Sequence, residues 1–492
     1  MDVDREGKTH MTIRELFGVD SDVQITSLAI DSRSVVPGAA FFCIEGAVSD
    51  GHRYAGDAAD RGAACIVHMR PLDERREGVV YISTGDTVTA LNRAASDFNG
   101  RPSERMTLFG VTGTNGKTTI ASVIRDLYSP FCPTGYIGTI ANAYNHALDN
   151  QPHTTPDAIR LHAMFRRMAE DGLRAVSMEV SSHGLVQRRV ESVDFDIAIM
   201  TNLTHEHLDY HVNMDRYLAA KALLFQQLKP SAVAVLNRDD ASCDALAAVT
   251  KARVATYGME SEADYTAADI ELFPSGSRFR LIHRDISLWV ETNLTARFNI
   301  SNLLAALAAV HEAGIPLECL VPLTRNIPQV EGRIEHIAQG QPFHVIVDYA
   351  HTPDGFEKIF DYAKAIQGSG KILAVFGAAG RRDTEKRPLL GRIADRVCDR
   401  IILTQEDHRD EDPENIANSI RTGISNSDTV FILDRYAAIR YALSIAQPGD
   451  IVLILAKGNE KFLDRDDRSD PYIGDMEAAK EILAMMGFIG SR

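Results

Sequence analysis

The chain has 492 residues, 45% hydrophobic and 24% charged, a composition typical of an ordinary globular chain of about three domains. Its formal net charge of −16 argues against a broad nucleic-acid surface, while leaving room for local basic clusters that hold a small anion. No apolar run reaches the length of a membrane span, and the polar first ten residues lack the apolar segment of a secretory leader.

Six cysteines (Cys43, Cys65, Cys132, Cys243, Cys319, Cys398) are scattered without a C-x-x-C pair, so they read as buried thiols of a reducing compartment, the cytoplasm. Residues 1–10 read as a loose extension ahead of a helix over 12–17. The run 23–30 reads as a strand ending at Asp31-Ser32-Arg33, and 40–44 as a second strand followed by the loop 45–52. A helix over 54–61 and a strand over 64–67 follow. The polar loops after the two early strands suit either a ligand or plain turns. The Gly/Pro/Ser stretch 100–105 is a linker, which closes a first domain at 1–105.

The strand 106–111 runs into Thr112-Gly113-Thr114-Asn115-Gly116-Lys117-Thr118-Thr119, and a helix over 120–127 follows. Glycines let backbone N–H groups close around phosphate oxygens, and the helix aims its positive end at them. Lys117 reaches the outer phosphates and the Thr118 hydroxyl can hold magnesium. The strict P-loop pattern has glycine six positions before Lys117, where this chain has Val111. A plain glycine turn is the alternative, but the flanking strand and helix sit where phosphate binding needs them.

Strand 174–179 ends in Glu179-Val180-Ser181-Ser182-His183, and strand 195–200 leads to Thr201 and on through His205-Glu206-His207-Leu208-Asp209. Strands alternating with helices predict a mostly parallel sheet, whose ligands gather at the carboxyl ends of the strands. The phosphate loop, Glu179 and His207 all fall at such ends. A helix over 215–228 carries Lys221, 232–236 is a strand, and 253–290 is strand-like. A helix over 299–311 sets Asn299 and Asn302 on one face. The second boundary falls within 328–335, giving a central domain at 106–335 and a last domain at 336–492. There, strand 343–347 delivers Asp348 through Pro353, and strand 371–376 runs into Gly377-Ala378-Ala379-Gly380-Arg381-Arg382-Asp383. Strands 400–404 and 451–455 complete an α/β chain without repeats or low-complexity tracts.

Glu179 and His207 suit magnesium through oxygen, with histidine an unusual addition. The run 205–211 does not contain the H-E-x-x-H pattern of a zinc helix. Lys221, among Ala219, Ala220, Ala222, Leu223 and Leu224, has two readings. Its stem lies on the surface with the amine in water, or the amine is buried, neutral and able to take up carbon dioxide as a metal-binding carbamate. Arg381, Arg382, Lys386 and Arg387 form either a solvated loop or a clamp for carboxylate or phosphoryl groups. His351, beside Pro353, is either a general base or part of a turn.

Taken together, residues 112–119, 178–190, 201–211, Gly332-Arg333, 348–354 and Lys386-Arg387-Pro388 resemble the Mur ligase family, most closely its MurE type. Those enzymes add the third residue to the peptide of the bacterial cell-wall precursor. The resemblance covers nearly everything after the first ten residues, and its phosphate loop has its own consensus, which accounts for Val111. It implies a uridine-nucleotide-binding domain, a central P-loop ATPase and a C-terminal Rossmann-like domain. It implies ATP with Gly113, Thr114, Asn115, Gly116, Lys117, Thr118 and Thr119 on the phosphates and Asn299, Asn302, Arg333 and Asp348 on the adenosine part. Magnesium ions would be held by Thr118, Glu179, His207 and a carbamylated Lys221. Ile30, Ser32, Gly46, Ala47, Val48 and Ser49 would meet the uridine, and Thr154, Thr155, Ser181 and Arg189 the sugar-peptide.

The amino-acid pocket implied by the resemblance comprises Arg382, Glu406, Asp407, Arg409, Ala456 and Glu460. This chain has Glu406-Asp407-His408-Arg409 where the family commonly has Asp-Asn-Pro-Arg, and Ala456-Lys457-Gly458-Asn459-Glu460 where Gly-Lys-Gly-His-Glu is common. Arg409 suits the second carboxylate of meso-diaminopimelate, with Arg382 on the other; L-lysine is the next choice. The expected reaction is ATP-dependent amide ligation of a diamino acid to a UDP-sugar-dipeptide through an acyl phosphate, catalysed by a monomer without nucleic-acid or membrane partners. The alternatives are a related ligase with another acceptor, as in folylpolyglutamate and cyanophycin synthetases, and a nucleotide-dependent scaffold that no longer ligates.

Overall fold

The computed structural model describes residues 2–3, 9–46, 49–139, 153–273, 275–466 and 468–489. Its first sheet has the parallel strands Ser27–Ala29, Ala39–Phe42, Cys65–His68 and Val80–Ser83, adjacent in chain order. Helix Thr87–Phe98 covers one face, where Leu91 and Ala94 pack on Ala40, Phe42 and Val67. The Asp86 carboxylate caps that helix by accepting from the N–H groups of Val88 and Thr89.

Two expectations for this region are corrected. The stretch 23–30 is two strands: Gln24–Ile25 pairs with Thr9–Thr12, while Ser27–Ala29 joins the four-stranded sheet. The chain switches sheets at Thr26, whose N–H and hydroxyl are taken by the carbonyls of Gly38 and Pro37, each at 3.0 Å. The start of the chain is accordingly not a loose extension throughout, since Thr9–Thr12 is a strand and Asp2–Val3 pairs beside it.

The second sheet has nine strands, in the order Ile286–Thr292, Gly276–His283, Tyr265–Phe273, Arg253–Gly258, Val233–Asn237, Ile197–Met200, Thr107–Thr112, Ala175–Glu179, Thr134–Ile137. Every pairing from Thr134–Ile137 across to Tyr265–Phe273 is parallel. The last two pairings are antiparallel, so the strand-like stretch 253–290 ends as a meander. Successive side chains of each central strand enter opposite cores. Phe109, Val111, Ile199 and Val235 pack against helices Lys117–Tyr128 and Arg297–Glu312. Leu108, Met178, Ala198 and Leu236 pack against helices Ala158–Glu170 and Met214–Gln226.

The third sheet has the order Glu335–Ile337, His344–Asp348, Ile451–Leu455, Ile372–Phe376, Arg400–Leu403, Asp428–Phe431, antiparallel only at its first pairing. Ile372–Phe376 and Ile451–Leu455 are apolar at every position and buried throughout, because helices cover both faces. A hairpin, Phe462–Arg465 with Arg468–Pro471, follows. The whole is a three-domain α/β architecture. All six cysteines are free; Cys132 is half-buried and Cys319 exposed, so only the other four are the buried thiols expected. Among the described residues no helix is long and apolar enough to cross a membrane.

Candidate active site

The carboxyl ends of the central and last sheets face one another. Four contacts span the gap: Asn115 Nδ2 to Asp354 Oδ2 at 2.6 Å, Glu206 Oε1 to His351 Nε2 at 3.0 Å, His205 Nε2 to Asp383 Oδ2 at 3.1 Å, and Arg333 Nη2 to Thr118 Oγ1 at 3.3 Å.

Residues 113–116 turn from strand Thr107–Thr112 into helix Lys117–Tyr128. Gly113 has φ +145° and Gly116 φ +89°, conformations that side chains rarely adopt. A Cβ on Gly113 would collide with the Thr201 hydroxyl, and one on Gly116 would sit 2.6 Å from Asn302 Oδ1. The loop is braced by Asn202, whose carbonyl accepts from Thr114 N at 2.8 Å and whose Oδ1 accepts from Asn115 N at 3.0 Å. Lys117 Nζ donates to the carbonyls of Gly113 and Thr114 at 3.0 and 2.8 Å, and burial lowers its pKa. Thr118 and Thr119 are buried at the helix start.

Glu179 is buried at the end of the adjacent strand. It accepts from Thr118 Oγ1 at 3.0 Å, Tyr136 OH at 2.5 Å and Thr139 N at 2.8 Å. Tyr136 and Thr139 were not legible as site residues; their only signal is that Tyr136 lies on a strand neighbouring Glu179. Asn299 and Asn302 are buried and joined, Asn302 Nδ2 donating to Asn299 Oδ1 at 3.0 Å. Arg333 stacks its guanidinium 4.6 Å from the Tyr349 ring centroid. The buried Asp348 accepts from Ile334 N at 2.8 Å and Ala350 N at 2.7 Å, and burial raises its pKa. Those bonds fasten the segment carrying Arg333 to the last sheet.

Lys221 is only 1% exposed, which removes the surface-stem reading. Its Nζ lies 4.3 Å from the Tyr217 ring centroid, and among the described residues no carboxylate makes an ion pair with it. Burial, aided by the charge of Lys117, pushes its pKa well below the ordinary lysine value. His207 stands at φ +55° before the short helix Leu208–His211, with its pKa lowered to about 4 by burial. Burial alone would raise its neighbour Glu206, but His207, His351 and Lys117 outweigh it and hold this carboxyl well below the usual range. His351 also uses Nδ1 on the Tyr349 carbonyl at 2.8 Å, so it is part of the interdomain bridge.

Among the residues expected on the sugar-peptide, Thr155 is buried, and its hydroxyl is used internally. It donates to the Glu179 carbonyl at 3.0 Å and accepts from Ser181 N at 2.9 Å. Thr154 Oγ1 meets Thr139 Oγ1 at 3.2 Å, Ser181 caps helix Ser182–Val186, and Arg189 Nη1 donates to the Thr155 carbonyl at 2.6 Å. At the first sheet Ile30 is 40% exposed, Ser32 is buried, and Gly46 N donates to the Ser49 carbonyl at 2.9 Å. Ala47 and Val48 lie outside the described residues.

The basic cluster is not a single clamp. Arg381 pairs with Asp410, and the buried Arg387 pairs with Glu411 at 2.8 Å. Arg382 is exposed and has no ion pair among the described residues. Asp407 accepts from Lys457 Nζ at 2.8 Å, and Glu460 pairs with the same amine at 2.5 Å. Glu460 also accepts from Tyr349 OH at 3.0 Å. Ala456 stands at φ +88°. Glu406 is buried, its pKa raised by that burial, and its Oε2 has no hydrogen-bond partner among the described residues. Arg409 Nη1 donates to the Gly380 carbonyl.

Residues 24–98 match the family described as "Mur ligase family, catalytic domain", 111–310 "Mur ligase middle domain" and 332–458 "Mur ligase, glutamate ligase domain". The chain is 40% identical over 461 residues to a UDP-N-acetylmuramoyl-L-alanyl-D-glutamate–2,6-diaminopimelate ligase of Geobacillus thermodenitrificans, covering 90% of this chain and 94% of that protein. It is 36% identical over 471 residues to a protein of the same name from Bacteroides fragilis, covering 95% and 96%. A solved structure of a ligase of that name superposes with TM-score 0.69 at 31% identity, covering 97% of this chain and 99% of that one. MurF ligase from Thermotoga maritima, solved with ADP, shares the fold at TM-score 0.65 and 17% identity, covering 93% and 97%.

Proposed function

The chain belongs to the Mur ligase family, and from that premise we propose that it joins 2,6-diaminopimelate to UDP-N-acetylmuramoyl-L-alanyl-D-glutamate at the expense of ATP. The observation that carries this reading is the convergence on Thr118 of the phosphate loop, Glu179 and Arg333, which come from two facing sheets. The relatives named for this reaction support the choice of substrates. On the same reading residues 1–105 bind the uridine nucleotide, 106–335 bind ATP and 336–492 receive the amino acid. The reaction belongs in the cytoplasm, and the chain acts as a monomer without nucleic acid.

The terminal carboxylate of the peptide attacks the γ-phosphorus of ATP. A new O–P bond forms, the β–γ bridge breaks and ADP leaves. The amine of the diamino acid then attacks the acyl phosphate, a C–N bond forms, phosphate leaves with the C–O pair, and the nitrogen loses a proton. Lys117, at the start of its helix, faces the phosphates and offsets their growing charge. Arg333 and the Asn299–Asn302 pair hold the adenosine part, with Asp348 keeping Arg333 in place.

The oxygens of Thr118 and Glu179, 3.0 Å apart, fit magnesium, which takes oxygen donors and keeps water and phosphate ligands. His207 and Lys221 are the further ligands on this reading. Bound magnesium neutralises charge on the phosphates during transfer. The neutral Lys221 amine can attack carbon dioxide, forming an N–C bond and losing a proton, which gives the buried site a carboxylate at that position. Arg409 and Arg382 serve the two carboxylates of diaminopimelate, and Glu406 and Glu460 its distal ammonium.

The test is product analysis. Incubation with ATP, magnesium, the UDP-sugar-dipeptide and diaminopimelate yields the UDP-sugar-tripeptide by mass spectrometry, with equal ADP and phosphate. Formation of AMP, or ATP hydrolysis indifferent to both acceptors, overturns the proposal.

A further inference from the structure

We infer that His408 and Arg465 are positioning residues that aim Arg409 at the incoming diamino acid, an inference that rests on the ligase reading above. Arg409 stands at φ +53°, a left-handed conformation that costs a non-glycine residue energy and persists only where neighbours enforce it. Two walls enforce it. On one side lies the loop after Ile372–Phe376: Gly380 N donates to the Asp407 carbonyl at 2.9 Å, and the Gly380 carbonyl receives Arg409 Nη1. A Cβ on Gly380 would collide with the His408 carbonyl, so the two segments touch backbone to backbone.

On the other side lies strand Phe462–Arg465. Arg409 N donates to the Asp464 carbonyl at 3.1 Å, and Asp464 N donates to Asp407 Oδ1 at 2.9 Å. The side-chain part of this wall is His408. Arg465 Nη1 lies 2.8 Å from His408 Nε2, and His408 Nδ1 lies 3.1 Å from the Glu411 carbonyl. A guanidinium only donates, so Nε2 is the acceptor and Nδ1 carries the proton. In this geometry the imidazole accepts at Nε2, donates at Nδ1 and is bonded at both ends. Arg465 is held in turn by Gln405 Oε1 at 3.2 Å and by Asp470 at 2.6 Å. Glu411, which fixes the far end of the imidazole through its carbonyl, is anchored by its side chain to the buried Arg387.

The same arrangement assigns Asp407 an internal task. Its Oδ1 accepts from both Lys457 Nζ and Asp464 N, which ties Lys457 and strand Phe462–Arg465 to the segment carrying Arg409.

The test is steady-state kinetics on the full chain, varying each substrate in turn. His408→Leu and Arg465→Met each raise KM for diaminopimelate about tenfold or more, the scale of one lost charge-assisted contact. KM for ATP and for the UDP-sugar-dipeptide stay within about twofold, as expected when only one subsite is disturbed. His408→Gln, whose side-chain oxygen accepts from Arg465, restores KM for diaminopimelate to within about threefold of wild type. An unchanged KM for diaminopimelate in both Arg465→Met and His408→Leu, or an equal rise for all three substrates, overturns the inference. A wild type that forms amide with another amino acid corrects only the substrate, and the same split measured with that amino acid decides the positioning role. A wild type that ligates nothing overturns the ligase reading, and this inference with it.

Discussion

The Thr118 hydroxyl donates to Glu179 Oε2 at 3.0 Å, tying the first turn of the loop helix to the end of the neighbouring strand. These residues come together because strands Thr107–Thr112 and Ala175–Glu179 pair in parallel, with Val111 opposite Glu179. A parallel sheet brings its carboxyl ends to one edge, and both polar groups lie at that edge.

Glu179→Gln keeps the shape of the side chain and removes its charge. Its kcat is expected to fall on the order of a hundredfold or more, as when a charge-stabilising group is lost from a phosphoryl-transfer site. The fold survives, because the amide oxygen can still accept from Thr139 N. Steady-state ADP release with a parallel melting curve measures both; a near-normal rate would remove Glu179 from the site.

Lys221→Met trades a buried amine for a thioether of similar length. Desolvation of that amine is unfavourable, so the variant is expected to be more stable by about 1–3 kcal/mol in buffer depleted of carbon dioxide, while ligation is lost. Denaturant midpoints and an activity assay check the two halves. Full activity in the variant contradicts the carbamate role, and lower stability contradicts the reading of the amine as uncompensated.

How far the residues could be read in advance depended on the range of the contacts. The phosphate loop is local: glycine, lysine and threonine sit within eight positions, 112–119, between a strand and a helix, and all three levels agree. Glu179 was legible because strand ends were. The sheet switch at Thr26 was not, since it depends on the Pro37 and Gly38 carbonyls, which local periodicity does not report. Lys221 had two readings because an apolar helix flank fits either exposure; its burial depends on the packing of helix Met214–Gln226, apolar around much of its circumference. The bridge from Glu206 to His351 joins residues 145 positions apart, beyond any spacing rule. Arg381 and Arg387 looked like a clamp because their partners, Asp410 and Glu411, lie on another loop.

His162 offers a pH test away from the chemistry. It is fully buried in helix Ala158–Glu170, neither ring nitrogen has a hydrogen-bond partner among the described residues, and burial lowers its pKa from 6.5 to about 4. Between those values the unfolded chain binds the proton and the native chain does not. Stability from this residue is therefore full above pH 6.5 and is lost as pH falls toward 4. His162→Leu should flatten that loss, by about 3 kcal/mol relative to wild type at the acid end. Urea titrations of both proteins across the window measure the difference; parallel pH profiles would show that His162 is protonated in the native state.

Arg435 and Asp475 are both fully buried, joined by bonds of 2.7 and 2.6 Å, with Arg435 Nη2 also donating to the Leu455 carbonyl at 2.7 Å. Removing one partner strands the other charge. Asp475→Leu is expected to destabilise the protein by about 3–5 kcal/mol, whereas Arg435→Met with Asp475→Leu recovers most of that loss. Thermal melts of the single and double variants decide; a double variant as unstable as the single would show that the pair serves through its geometry rather than its balanced charge.

In the proposed reaction a peptide carboxylate is phosphorylated before the amine attacks. The direct measurement uses UDP-sugar-dipeptide labelled with heavy oxygen in its terminal carboxylate, with ATP, magnesium and diaminopimelate. One labelled oxygen per turnover is expected in the released phosphate, because the oxygen that attacks phosphorus leaves with it when the amide forms. Phosphate free of label, with amide product accumulating, would contradict the account.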